Sequence, residues 1–142
     1  ERVDVQPAGG FRAVLKIPGT TKIAEAGLRI EASRARGILR ARGAQIGRYP
    51  VAATVSLAAV GKSPVLIRSW RPGDRIRPLG MEGSKKIQDV LTDLKVPAAD
   101  RGRVPIFECR GEIIWLPGYR VARGWEVPLP DSPCLRLRMC RA

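Results

Sequence analysis

Fifteen glycines and twelve prolines fall at short intervals along the chain and set the first limit on its fold. Gly admits left-handed backbone and Pro removes a hydrogen-bond donor, so the segments between them suit strands and turns better than long helices. Those segments alternate. Phe11, Ala13, Leu15 and Ile17 are interleaved with Arg12 and Lys16, and the pair Pro18-Gly19 closes the strand. Residues 28–32 and 38–42 read as strands paired around the basic stretch 33–37. Residues 51–60 read as one buried strand, and 64–69 as another. Residues 106–109 and 112–116 flank Arg110-Gly111, a hairpin signal. The segment 135–139 puts Leu135, Leu137 and Met139 on one face, and Arg136 and Arg138 on the other.

One helix stands out. Ser84 is a suitable N-cap, and Ile87, Val90, Leu91 and Leu94 follow at helical spacing until Pro97. A further short turn fits residues 98–103. Lys85 and Lys86 then fall in the first turn, where free amide groups and two cations suit an anion. The expected fold is α+β: short β-strands in a sandwich-like mixed sheet arrangement, one clear amphipathic helix (84–96) and short helical turns. Two parts of one domain are expected: a basic amino-terminal strand lobe, residues 1–50, and a core, residues 51–142. The break between them falls in 43–50.

Charge and missing residue types narrow the chemistry. Lys and Arg total 26 against 13 acids, a net charge of +13, and the chain contains no His. Twenty of the basic residues are Arg, and Asn is absent too. Without His there is no Ser-His-Asp or Cys-His nucleophile system and no histidine-held metal, so no metal site is expected. Cys109, Cys134 and Cys140 form no CxxC pair and read as reduced structural thiols. No run is long and apolar enough for a membrane span, so no membrane partner and a cytoplasmic location are expected. Glu1 in place of an initiator Met suggests a domain from a longer chain. The excess of guanidinium suits phosphate-rich partners, above all nucleic acid. A composition rich in Arg, Ala, Gly and Pro can equally reflect a G- and C-rich genome, and both readings stay open.

Distribution is more informative than the total. Gly61-Lys62-Ser63 lacks the glycine that a phosphate-binding loop needs five residues earlier, where Ser56 stands, and a strand follows instead of a helix. It reads as a turn. Between residues 29 and 48 six Arg face one acid, Glu31, and Arg136, Arg138 and Arg141 form a terminal row. Either set fits a phosphate-contacting surface or a solvated face. In the stretch 68–103 the order matters most. Arg71-Pro72-Gly73-Asp74-Arg75 is a turn with its own carboxylate, and Ile76-Arg77-Pro78-Leu79-Gly80-Met81 leads to a second turn at Glu82-Gly83. These turns gather Arg71, Arg75, Arg77, Lys85 and Lys86 in one small patch. Arg there offers forked geometry toward phosphate. An internal ion pair between Asp74 and one Arg is the structural counterpart.

These same phrases carry a family resemblance. The run RPGDRIRPLGMEGSKKIQDVLTDLKVP at 71–97, the Arg101, Arg103 and Pro105 spacing, and IIWLPGYR at 113–120 resemble the carboxy-terminal domain of bacterial tRNA(Ile)-lysidine synthetase. The likeness is specific over 68–120 and weaker before residue 60. It implies an ATP-dependent carbon–nitrogen ligase that joins lysine to the wobble cytidine of isoleucine tRNA. The chemistry would lie in a separate domain with a Ser-Gly-Gly-x-Asp-Ser loop, which this sequence lacks. No catalytic residue and no cofactor are expected in this chain, and ATP and magnesium are implied only for that catalytic domain.

The resemblance implies an RNA-binding part that contacts the acceptor stem of isoleucine tRNA and works beside its catalytic domain. It assigns tRNA contact to Arg68, Arg71, Arg75, Arg77, Lys85, Lys86, Arg101, Arg103 and Arg120. Loop shaping falls to Pro72, Gly73, Asp74, Pro78, Gly80, Gly83, Pro117 and Gly118. Trp115, following Ile113 and Ile114, is expected in the core. Trp70 departs from the basic residue expected before Arg71. The alternative reading is a structural or docking module that orients a catalytic domain, its basic charge owed to composition.

Overall fold

The computed structural model describes residues 10–36 and 51–141. Among the described residues there are ten strands, three short α-helices and a 3-10 turn (Ala24–Ala26), and the strands make two four-stranded sheets and a small ribbon. The first sheet has the order β1 (Arg12–Val14), β5 (Val65–Ser69), β8 (Pro105–Cys109), β9 (Glu112–Trp115). The second has the order β2 (Gly19–Ile23), β3 (Leu28–Arg36), β10 (Pro133–Arg141), β4 (Val51–Ser56). The ribbon pairs β6 (Arg75–Ile76) with β7 (Lys85–Lys86). Every strand pair described is antiparallel, so the sheets are not mixed in direction. Together with the helices this is an α+β fold.

Alternation decides which face each strand buries. Along β10, Leu135, Leu137 and Met139 are buried while Arg138 stays exposed. Arg141, an odd number of residues from Arg138, falls on the opposite side of the strand from it. The inner strands β5 and β8 are buried almost throughout. Val65, Ile67, Ile106 and Phe107 share one continuous core with Ile30, Val55 and Leu135 of the second sheet. Trp115 lies in that core, its ring 4.8 Å from that of Phe107. The β8–β9 hairpin turns through Arg110 (φ 50°) and Gly111 (φ 79°), both left-handed as the tight hairpin requires.

Several local expectations are corrected. The apolar run 51–60 is not one strand: β4 stops at Ser56, whose hydroxyl accepts the Ala59 N–H (3.1 Å) and caps α1 (Leu57–Val60). An apolar run without a clear period cannot reveal such a break. Residues 28–36 form a single strand, so the basic stretch continues β3 and pairs with β10 rather than turning back. The expected strand at 38–42 and the break at 43–50 lie outside the described residues. Strands from before residue 50 enter both sheets, β1 the first, β2 and β3 the second.

The main helix, α2 (Ile87–Asp93), is shorter than the expected 84–96. Its cap position is Lys86, with no side-chain cap bond, because Lys85 and Lys86 are drawn into the ladder with Ile76 and Arg75. Ser84 is therefore not its N-cap, and the two lysines are not in its first turn. Ile87, Val90 and Leu91 still bury their stripe as the spacing predicts. The helix closes with Lys95 in left-handed conformation (φ 58°), ahead of Pro97 and α3 (Ala98–Arg101).

Candidate nucleic-acid interface

The turn at 71–74 is built on a buried guanidinium. Strand β5 carries Arg68 into the interior, 8% exposed, where it meets two carboxylates. Nη1 and Nη2 donate to Asp74 at 2.9 and 3.1 Å, Nε donates to Glu108 at 2.7 Å, and Nη1 also reaches the Ser69 carbonyl at 3.0 Å. Burial acts to lower the Arg68 pKa, but hydrogen bonds and charge from Asp74 and Glu108 outweigh it and leave it raised. Asp74 closes the turn from inside. Its carboxylate accepts the Arg71 N–H (2.7 Å), its own N–H donates to the Arg71 carbonyl (3.0 Å), and its carbonyl accepts the Ile87 N–H (2.9 Å). One aspartate thus joins the sheet, the turn and the start of α2.

From that base the ribbon carries the charge outward. Arg75 and Lys86 are direct cross-strand partners, and both are exposed. Arg75 donates to the Ser84 hydroxyl (2.7 Å) and, at 3.3 Å, to its carbonyl. Arg71 and Lys86 have no acidic partner among the described residues. Two like charges directly opposite each other weaken a strand pair, so local folding gains nothing from this arrangement. On the inner side of the ribbon Ile76 is buried, while Lys85 binds Asp93, which raises the Lys85 pKa.

A second loop locks against the first. The bridge Pro78–Ala122 and the bonds Leu79 N–H to Val121 O (3.0 Å) and Arg123 N–H to Arg77 O (2.7 Å) dock residues 77–81 along 121–123. The turn 78–81 closes through Met81 N–H to Pro78 O (3.2 Å), with Gly80 at φ 85° in its third position. A side chain there would be strained. Arg120 donates to the Leu79 carbonyl (3.1 Å) and Arg123 to the Met81 carbonyl (2.6 Å).

The comparisons with known proteins bear on this arrangement. The family model described as the TilS substrate C-terminal domain matches residues 65–139, more than half of the chain. The chain belongs to this family. A tRNA(Ile)-lysidine synthase from Symbiobacterium thermophilum is 47% identical over 55 residues, which is 39% of this chain and 11% of that protein. One from Bacillus subtilis is 41% identical over 70 residues, 49% of this chain and 15% of that protein. The matched segment is thus a small part of those relatives. A crystal structure of a TilS C-terminal domain superposes with TM-score 0.77 at 24% identity, covering 93% of this chain and 97% of that one. That likeness concerns the fold.

Within this TilS C-terminal domain the expected contact residues separate by environment. Arg71, Arg75, Lys86 and Arg120 are exposed, and none of them is in an ion pair among the described residues. Arg77, Lys85 and Arg103 are paired with Glu112, Asp93 and Asp100. Two others are engaged within the protein, Arg68 buried and Arg101 half-buried. Arg68 is a buried strut, so its expected place on the surface is corrected: two carboxylates draw its charge inward. Arg101 ties α3 to α2, donating to the Val96 carbonyl (3.0 Å) and the Thr92 hydroxyl (3.2 Å), while its own carbonyl accepts the Trp70 indole N–H (2.8 Å). Trp70 therefore packs as a strut as well.

Gly73, Gly80, Gly83 and Gly118 all have positive φ. Arg123 is the residue that motif reading missed. It lies three positions beyond Arg120, past the end of the recognised phrase, and only the docking of 77–81 on 121–123 brings it to the patch.

Proposed function

We propose that this chain is the tRNA-binding part of a tRNA(Ile)-lysidine synthase and holds a duplex stem, the acceptor stem of isoleucine tRNA, by its phosphates. Lysine ligation, with its ATP and magnesium, belongs to a catalytic domain elsewhere in the longer protein, and this chain is the non-catalytic appendage. The observation that carries the reading is Arg75 facing Lys86 across the ribbon. A pair that weakens its own ladder is accounted for when an anion lies over it.

Arg71, Arg75, Lys86 and Arg120 make the principal phosphate contacts, joined by Arg123. Arg77, Lys85 and Arg103 contribute less, since each is partly neutralised by a carboxylate. Recognition of backbone and shape fits an A-form stem, whose deep major groove hides base edges from side chains. A gel-shift titration of the chain with isoleucine tRNA tests the reading. A shifted band that fades as salt rises supports it. No shift at low salt removes it and favours the docking role.

A further inference from the structure

Phosphate contact leaves one feature of the patch unexplained. Leu79 and Met81, on either side of Gly80, are each 38% exposed in the middle of a basic surface. They are held there. Arg120 and Arg123 pin the two carbonyls, and the Tyr119 hydroxyl donates to the Met81 thioether at 3.7 Å. The Arg120 guanidinium also lies 5.8 Å from the centre of the Tyr119 ring. Each arginine uses one nitrogen in this and keeps further donors of its fork for a ligand.

A paired A-form stem offers phosphates and ribose, but its bases are stacked away. It does not need fixed apolar side chains. An unpaired nucleotide offers a flat apolar face and, a short distance away, a negative charge, which matches this turn in both respects. A protein partner for a patch of this charge would need an acidic rim around its apolar centre. The turn's own neighbourhood holds one carboxylate in the adjoining sequence, Glu82, against Arg120 and Arg123.

We infer that the 78–81 turn takes an unstacked nucleobase, its face on Leu79 and Met81 and its phosphate on Arg120 and Arg123. Polarizable sulfur and apolar carbon suit a π-face, and arginine planes add stacking. The inference rests on the RNA-binding reading above and adds to it a single-stranded nucleotide next to the stem.

The test compares two RNA probes with the 142-residue chain: a blunt hairpin, and the same hairpin with a short single-stranded tail carrying 2-aminopurine. The tailed probe should bind about tenfold more tightly, the scale of one stacked base, and its fluorescence should change on binding. In the double variant L79S/M81S that preference and the fluorescence change should vanish, while blunt-hairpin affinity and its salt dependence stay as in wild type at a temperature where the variant is folded. Glu82→Gln should strengthen both probes equally. Equal affinity of wild type for the two probes, or a preference retained in the double variant, overturns the inference and leaves phosphate binding standing. Failure of both probes to bind overturns the two together.

Discussion

Arg68 and Asp74 form a bidentate ion pair, at 2.9 and 3.1 Å, beneath a turn whose other arginines point to solvent. Two residues six apart thus divide the labour of a basic motif: one guanidinium holds the loop so that its neighbours are free to act. Glu108 completes the arrangement from β8.

Removing that guanidinium should be costly. Arg68→Met leaves the Asp74 and Glu108 carboxylates half-buried without their cation, and we expect a loss of about 3–5 kcal/mol in urea unfolding. Arg68→Lys keeps the charge but not the fork, and should lose less, about 1–3 kcal/mol. If Arg68→Met were as stable as wild type, the strut role would be wrong.

The opposed pair Arg75 and Lys86 predicts effects of opposite sign. Lys86→Glu replaces cross-strand repulsion by attraction, so stability should rise by about 0.2–1 kcal/mol. The same change should weaken tRNA binding. A thermal melt and a gel shift on one sample decide the matter, and loss of both stability and binding would make Lys86 structural.

At the end of α2 the chain uses a lysine where glycine is the usual choice. Lys95 N–H donates to Thr92 O (3.0 Å) and Val96 N–H to Leu91 O (3.0 Å), the double closure that demands a left-handed residue between. Lys95→Gly should therefore stabilise the domain by about 0.5–1 kcal/mol, and Lys95→Ala should not. Equal effects of the two substitutions in a denaturation series would contradict this account.

Burial raises the Cys109 thiol above its ordinary range. The folded state then holds this proton more firmly than the unfolded chain, so its stability is intact below the ordinary thiol pKa of 9.0 and declines as pH rises beyond it. Alkylation of Cys109 in the native protein should be slow near neutral pH and become fast in denaturant. Rapid labelling at pH 7 would show the site to be open.

Much of this was legible from residue order. The Trp115 core position follows from the apolar strand before it, and the Arg110-Gly111 hairpin from its turn residues. The helical stripe of Ile87, Val90 and Leu91 was legible too, but its start was not. Ser84 has the chemistry of a cap, yet Lys85 and Lys86 pair with a strand nine to eleven residues earlier, and a ladder of that kind overrides a local cap. Arg68 escaped for a similar reason. Its partners lie 6 and 40 residues away, so nothing in its immediate spacing marks it as internal. Arg123 reaches the patch through docking of two loops rather than through a motif.

The central claim, that the exposed cations of residues 71–86 and 120–123 hold RNA phosphates, is most directly tested by the salt dependence of tRNA affinity. Plotted as log affinity against log salt, each phosphate neutralised contributes a slope of about −0.7 to −0.9. The double variant R75E/K86E should bind more weakly and lose about 1.5 of the wild-type slope, two phosphate contacts. An unchanged slope in that variant, or wild-type affinity indifferent to salt, would contradict the account.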